Sequence, residues 1–195
     1  MKNLRTTTIL AMAFISLTVM SCKDSKKEVP TDTVKPEMNH NNMNASDDKM
    51  DSNTQNPDVK LVLADYMTLK DALVATNKEQ SATAGKKLES SLSSFNVSSY
   101  TPEQQKELND IITDAKEHAE HIGKSEMSHQ REHFKILSKD MIDMVAIIGT
   151  NTTLYQQFCP MYDGGSAWLS MNKDIKNPFY GSKMMTCGEV EKQIN

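Results

Sequence analysis

This 195-residue chain lacks the features that mark several large classes of protein. It has 22 Lys and Arg against 26 Asp and Glu, a net charge of −4, and no basic patch interleaved with aromatic residues. Nucleic acid is therefore not an expected partner. It also has no glycine-rich phosphate loop, no nucleophile elbow and no paired carboxylates in an apolar setting, so we do not expect an enzyme.

Cysteine is scarce, with three residues at positions 22, 159 and 187. None of them forms a CxxC pair, so a structural zinc ribbon is disfavoured. Methionine, in contrast, is abundant at 14 residues, and some of these lie close to the last two cysteines.

The first residues are typical of an export signal. Lys2 and Arg5 precede the apolar run Ile9–Met20, which is too short to cross a membrane and suits a signal segment. The run ends near Cys22 in a pattern that resembles the site where bacterial lipoproteins are cut and acylated. We therefore predict a signal peptide over residues 1–21, a lipid anchor at the cysteine, and an envelope location facing the periplasm or the outer surface. The cleavage changes the formal charge from −4 to −6, because two basic residues are lost.

Residues 22–57 are rich in Lys, Asp, Asn, Ser, Thr and Pro and show no helical or strand period, so we predict a disordered tether. Met38, His40, Met43 and Met50 lie in this polar segment, where there is no core for a methionine to fill. One interpretation is a weak metal-catching arm, since Met and His both bind Cu(I). The other is compositional drift in an unconstrained linker.

From residue 58 onwards the pattern becomes helical. It predicts a mainly α domain over residues 58–195, an up-down four-helix bundle that carries a small irregular or β extension. The predicted helices cover about 58–76, 78–93, 101–122 and 125–148. Thr101–Pro102 is a strong start signal for the third helix, which Gly123 ends. Ser125 is expected to cap the fourth helix, with Gly149 as its stop.

Residues 150–195 form the extension, which contains the last two cysteines and several methionines. Leu154–Phe158 and Ala167–Leu169 are predicted as short strands on either side of a glycine turn. The extension has too little apolar content to fold alone, so we expect it to pack on the bundle. Its expected anchors are Trp168, Phe179 and Tyr180.

Four of the five histidines lie close together in the sequence. His118 and His121 are three apart near the end of the third predicted helix, so they share one face. His129 and His133 are four apart near the start of the fourth, and a short turn should bring both pairs to the same end of the bundle. A helical wheel puts His118 and His133 nearest the apolar face. His121 and His129 fall nearer solvent, and His129 is the least expected ligand.

Cys159 and Cys187 permit three interpretations. In an oxidising compartment they can form a disulfide, worth about 3–4 kcal/mol by loop-closure entropy. They can instead bind a soft ion such as Cu(I) or Ag(I), for which thiolates and thioethers are preferred ligands. The candidate thioethers are Met161, Met184 and Met185. A Cys2His2 zinc site with His121 and His133 is also allowed.

The soft-metal interpretation requires a particular arrangement of the fold. The segments around residues 160 and 186 must come within bonding reach of each other, beside the histidine end of the helix pair.

Six short segments between about residue 60 and residue 195 closely resemble, in order, those of an uncharacterised bacterial domain. They are His118–Ile122, Gln130–Phe134, Cys159–Met161, Trp168–Ser170, Ile175–Gly181 and Met185–Gly188. That domain also occurs as the C-terminal extension of periplasmic adaptor subunits of copper/silver efflux pumps. The resemblance implies periplasmic metal handling, with copper as the metal, efflux components as partners, and these His, Cys and Met positions as ligands. The chain has no room for the adaptor's hairpin and barrel domains, so adaptor activity is not implied.

Two functions remain open. In the first, the protein is a lipid-anchored binder of Cu(I) or Ag(I) that buffers copper or delivers it to an efflux system. In the second, it is a disulfide-stapled, non-catalytic interaction module that holds no metal.

Overall fold

The computed structural model describes residues 56–195, in which four helices are followed by a small β-sheet. The helices are α1 (Pro57–Val74), α2 (Lys78–Ser93), α3 (Pro102–Ile122) and α4 (Met127–Ile148). The strands are β1 (Leu154–Cys159), β2 (Ser166–Ser170) and β3 (Glu189–Ile194), with a 3-10 turn at Gly181–Lys183. The predicted mainly α bundle with a β extension is confirmed. The predicted signal peptide, the lipidation site at Cys22 and almost all of the tether lie outside the described residues.

Local signals set the starts of the first three helices. A side chain at each start accepts a hydrogen bond from a first-turn N–H group; these caps are Asn56, Asn77 and Thr101. The expected cap of α4 at Ser125 is wrong, because the residue before this helix is Glu126, whose side chain makes no capping bond. The Glu126 carboxylate instead pairs with Lys78 Nζ at 2.5 Å. The expected stop at Gly149 is confirmed, with φ at +69°.

Consecutive helices pack against one another around an apolar core. Tyr66 of α1 and Phe134 of α4 stack with ring centroids 5.4 Å apart, which joins the first helix to the last. Buried Gln130 of α4 donates through Nε2 to the carbonyls of Lys78 and Ile122, at 3.1 and 3.0 Å. These bonds hold α4 against the start of α2 and the end of α3. Within residues 56–195, no helix combines the length and the apolarity that crossing a membrane requires.

The strands form an antiparallel sheet in the order β2-β1-β3. The first two predicted strands are confirmed, and Gln157 of β1 lies opposite Trp168 of β2. The sequence does not predict β3, because its side chains are mostly polar and largely exposed. In the pairing of β1 with β3, Phe158 lies opposite Glu189, so the end of β1 faces the residues just before β3.

The hydroxyl of Tyr66 joins the sheet to the helices. It lies 2.8 Å from Ser138 Oγ of α4 and accepts a hydrogen bond of 3.1 Å from the N–H of Leu169 in β2. All three residues are fully buried. A buried polar group without a partner costs about 1–3 kcal/mol, so this contact favours one arrangement of α1, α4 and β2.

Two of the three expected aromatic anchors lie in the core that the extension shares with the bundle. Trp168 and Phe179 are buried, and their rings meet edge to face with centroids 5.8 Å apart. Phe179 also lies 5.8 Å from Phe134 of α4. Tyr180 is only half-buried, and its hydroxyl donates to the carbonyl of Met161 at 2.8 Å. The extension is therefore fastened to the bundle as predicted.

One buried acid of the bundle is poorly satisfied. Asp140 of α4 is 8% exposed, and its Oδ2 has no hydrogen-bond partner within the described residues. Burial, and secondly the negative charge of Asp114, raise the pKa of Asp140 to about 6. The folded protein thus binds this proton more tightly than the unfolded chain does, and the ionised carboxylate destabilises the fold above that pH. The penalty is absent below about pH 4, where both states are protonated.

Asp140→Asn removes the charge and keeps the shape of the side chain. We expect the free energy of unfolding to rise by about 1–2 kcal/mol near pH 8, after allowance for solvent screening. The gain should shrink as the pH falls from about 6 to about 4, because the wild-type carboxyl becomes protonated there. Urea unfolding across this range measures the effect, with the exposed Asp174→Asn as the matched control. A gain of equal size at both ends of the range would contradict the assignment.

Candidate metal centres

The end of β1 and the turn that precedes β3 bring two cysteines together. The Sγ atoms of Cys159 and Cys187 are 2.7 Å apart, which is longer than the roughly 2.0 Å of a disulfide bond. Cys159 is fully buried and Cys187 is half-buried. The expectation that these sulfurs come within bonding reach is confirmed.

A close approach of two backbone segments at Gly188 makes this contact possible. Gly188 has φ of +141°, and a Cβ there would lie 2.7 Å from the carbonyl oxygen of Phe158. It would also lie 3.0 Å from Cη2 of Trp168. Glycine is the one residue that tolerates both this conformation and this spacing, so it allows the preceding cysteine to reach the end of β1.

Methionines flank the cysteine pair. The side chains of Met161 and Met184 are 63% and 39% exposed, whereas Met185 is half-buried. The backbone N–H of Met161 hydrogen-bonds the thiol of Cys187, and the N–H of Cys187 donates to the carbonyl of Met184 at 3.1 Å. Both exposed thioethers therefore belong to residues whose backbone touches Cys187. The name sulfur site is used below for Cys159, Met161, Met184 and Cys187.

The protonation of the thiols bears on metal binding. The contact with the Cys159 thiol, and then partial burial, raise the pKa of Cys187, while the hydrogen bond from Met161 acts in the opposite direction. The thiol of Cys187 is thus protonated near neutral pH when no metal is bound. Because the thiolate is the metal ligand, an incoming ion must displace the proton.

The four neighbouring histidines form a cluster across the α3–α4 turn, called the histidine cluster below. It consists of His118, His121, His129 and His133. His133 is central: its Nδ1 lies 2.9 Å from Nδ1 of His118, and its Nε2 lies 3.1 Å from Nε2 of His129. His121 stacks on His133 with parallel rings and centroids 4.5 Å apart. The helical wheel is confirmed, since His118 and His133 are half-buried and the other two are exposed.

A carboxylate orients one of these rings. Oε2 of Glu132 lies 2.7 Å from Nδ1 of His129. A carboxylate only accepts, so Nδ1 of His129 carries the proton, and Nε2 of the neutral ring is free to accept from His133. His133 then accepts at Nδ1 from His118. In the metal-free protein, one set of proton positions thus satisfies the contacts of Glu132 with His129, of His129 with His133, and of His133 with His118.

The central ring resists protonation. Burial lowers the pKa of His133 to about 4, with further contributions from the charges of His121, His129 and His118. Burial also lowers the pKa of His118. These two rings are therefore neutral near pH 7, which is the form in which imidazole binds a metal.

The two centres are separate. Within residues 56–195, the side chains whose ligating atoms all lie within 4.8 Å of one another are His121, His129 and His133, and neither cysteine joins them. The structure thus does not assemble the Cys2His2 arrangement. Arg131 of α4 nevertheless donates through Nε to the carbonyl of Pro178 at 3.0 Å, so the segment before the sulfur site is attached to the same turns of α4.

The sequence predicts His129 as the least expected ligand, whereas the structure places it in the group of three histidines. Exposure on a helical wheel is the reason for discounting it, yet its Nε2 faces the central ring of the cluster. The signal that could have found it is the spacing of His129, Glu132 and His133, which places a carboxylate three residues from one histidine of an i,i+4 pair. His118 lies at the other side of the central ring, outside the group of three.

Comparison with protein families finds a match for part of the chain. Residues 62–153 match the family described as Protein of unknown function (DUF3347), so this stretch is an uncharacterised domain, as the sequence predicted. The match contains all four helical histidines and ends before β1. No curated protein and no solved structure matches the chain.

Gly188→Ala tests the close approach that creates the sulfur site. The new methyl group would meet Phe158 and Trp168, so we expect the free energy of unfolding to fall by about 1–3 kcal/mol. We also expect slower formation of the Cys159–Cys187 disulfide under oxidised glutathione. Urea unfolding and mass spectrometry measure the two effects.

Gly164→Ala is the matched control for this change, because Gly164 also has a positive φ of +74° but its Cβ would meet nothing within 4 Å. Equal oxidation rates in the two variants would show that the approach at Gly188 does not govern the cysteine contact.

Proposed function

We propose that this protein is a cell-envelope metal-binding protein that captures Cu(I), and also Ag(I), through Cys159 and Cys187. It buffers the ion or delivers it to an efflux system. The observation that carries the proposal is the contact of two cysteine sulfurs, 2.7 Å apart, one of them fully buried and the other half-buried. Two thiolates supply a ligand pair that soft monovalent ions prefer.

The exposed methionines support the same choice of metal. Met161 and Met184 lie on segments whose backbone contacts Cys187. Burial does not explain exposed thioethers, and a thioether is a ligand that favours Cu(I) over hard ions such as Mg²⁺. We propose that one of them completes the coordination of an ion held by the two thiolates.

The location follows from the N-terminal sequence. A signal peptide and a lipid anchor at Cys22 would hold the domain at the membrane surface on a tether of residues 22–57. In this position the protein would meet metal ions that enter or leave the envelope, and components of an efflux system are the proposed partners. The resemblance to the extension of efflux adaptors supports this assignment.

The same sulfur contact favours a second candidate function, a disulfide-stapled interaction module. A disulfide between Cys159 and Cys187 would tie β1 to the start of β3 and leave no thiolate for a metal. Mass spectrometry after thiol alkylation of protein taken directly from the envelope distinguishes the two. A resting protein with both thiols alkylated supports the metal binder, and a fully bonded pair supports the module.

Cys159→Ser/Cys187→Ser should abolish tight binding of Cu(I). Anaerobic titration of the reduced full-length chain against a competing chelator measures the affinity, with Cys22→Ser in every sample to remove the third thiol. We expect one ion per chain in the parent, and a loss of at least about 100-fold, since both first ligands are removed. Parent and variant with equally weak binding would refute the proposal.

The methionines give a second, smaller prediction. Met161→Leu/Met184→Leu keeps volume and apolarity but removes two thioethers, so we expect Cu(I) affinity to fall by about 10-fold. Zn²⁺ binding at the thiols should change less, because zinc does not need a thioether. Met171→Leu is the matched control, as Met171 is 46% exposed and lies after β2, outside the sulfur site. An equal effect of the control would show that the loss is not due to coordination.

A further inference from the structure

The rings of His129 and His133 are oriented as metal-bound histidines are, because a neighbouring polar group already contacts the second nitrogen of each ring. Nε2 of His129 and Nε2 of His133 face each other at 3.1 Å. The other nitrogen of each ring is already engaged, with Glu132 at 2.7 Å and with His118 at 2.9 Å. Metal-bound histidines usually have their second nitrogen bonded in this way, to a carboxylate or another polar group.

We propose that His121, His129 and His133 form a second metal site, separate from the sulfur site, that takes a divalent transition-metal ion such as Cu²⁺ or Zn²⁺. Glu132 and His118 act as positioning residues that orient two of the ligands. This inference does not rest on Cu(I) binding at the sulfur site.

The distances require only small movements. Two nitrogens bound tetrahedrally to one metal ion at about 2.0–2.1 Å lie about 3.3 Å apart. The pair formed by His129 and His133 is already close to that value, and the ligating atoms of all three residues lie within 4.8 Å of one another. His121 must turn out of its parallel stack on His133, which is possible because its side chain is 48% exposed.

Binding also requires a change of tautomer in two rings, the central His133 and its neighbour His118. In the metal-free protein, His133 carries its proton on Nε2 and donates it to Nε2 of His129. In the metal-bound form Nε2 of His133 gives its lone pair to the ion, and the proton of this ring lies on Nδ1, from which it is donated to Nδ1 of His118. The proton that His118 carried on Nδ1 must then lie on its Nε2, so that Nδ1 can accept. The proton on Nδ1 of His129 stays with Glu132. Metal binding therefore changes the tautomers of His133 and His118 together.

The ligand set selects the class of metal. Imidazole suits borderline divalent ions such as Cu²⁺, Zn²⁺ and Ni²⁺, whereas Cu(I) and Ag(I) prefer the sulfur ligands. No cysteine shares the group of three within residues 56–195. Three protein ligands also leave a coordination position for water or for a group on a partner, which is typical of exchangeable sites rather than structural ones.

The experiment uses the full-length chain without an affinity tag, in mild detergent, with Cys22→Ser, Cys159→Ser and Cys187→Ser to remove all thiols. Titration with Cu²⁺ against a competing chelator measures affinity, and electron paramagnetic resonance measures the number of coordinated nitrogens. We expect one tightly bound Cu²⁺ per chain with several nitrogen ligands. His129→Gln and His133→Gln should each weaken binding by at least about 100-fold, and His118→Gln by about 10-fold.

The matched control is His40→Gln, which removes a histidine from the N-terminal segment and should leave the affinity unchanged. Retention of binding in the thiol-free chain also separates this inference from the proposed function, which would lose both of its thiolates in the same background. Binding that is lost with His40→Gln and kept with His133→Gln would overturn the site, as would absence of tight Cu²⁺ binding in the thiol-free parent.

A second measurement needs no substitution in the cluster and covers variants that fail to fold. Long-range ¹H–¹⁵N spectra of the histidine rings, recorded as Zn²⁺ is added to the thiol-free chain, report the tautomer of each ring. We expect the His133 proton to pass from Nε2 to Nδ1 and the signals of His121 and His129 to shift together. Spectra in which the tautomer of His133 is unchanged at saturating Zn²⁺ would contradict the proposal.

Discussion

The hydrogen bonds of the buried Tyr66 hydroxyl set the position of β2 on the helices, and the rest of the extension is built from there. This hydroxyl bonds to Ser138 of α4 and to the backbone of Leu169 in β2, so one polar group joins two helices to the sheet. An apolar interface alone would let the sheet slide over the bundle, since hydrophobic contacts are not directional. The hydrogen bonds have defined geometry and cannot be lost without leaving buried polar groups unpaired. Because β2 pairs with β1, and β1 pairs with β3, the position of β2 also fixes the positions of the other two strands.

The pairing of β1 with β3 brings the residues of the sulfur site together. β1 ends at Cys159, and the pairing of Phe158 with Glu189 brings the residues before β3 alongside. Gly188 then lets the two backbones approach closely enough for the sulfurs to meet. A disulfide would use both sulfurs and remove the thiolates that the proposed binding of Cu(I) needs, so that binding would depend on the redox state of the compartment. The histidine cluster contains no thiol and would be unaffected by that change.

The two centres also differ in what supports them. The histidine cluster lies on two adjacent helices and needs only the short turn between α3 and α4 to bring its members together. The sulfur site lies at the end of β1 and on the turns that connect the strands, and the segment before it is attached to the bundle through contacts such as that of Arg131 with Pro178. Because α4 contributes both to the cluster and to this attachment, movement of its first turns would affect both centres.

Periodicity and turn residues were sufficient to determine the four helices, the first two strands and the grouping of the histidines at one end, because these depend on neighbours close in sequence. Thr101 and Gly149 act as predicted, since capping and left-handed turns are local effects. Ser125 fails as a cap because Glu126, which pairs with Lys78 of another helix, takes the position before α4. β3 is an exposed polar edge strand, whose existence depends on its partner β1 rather than on its own residues. Only the tertiary structure decided that Cys159 meets Cys187, because strand register is set by contacts between separate elements. The same holds for the contact of His129 with His133, since Glu132 orients the ring of His129.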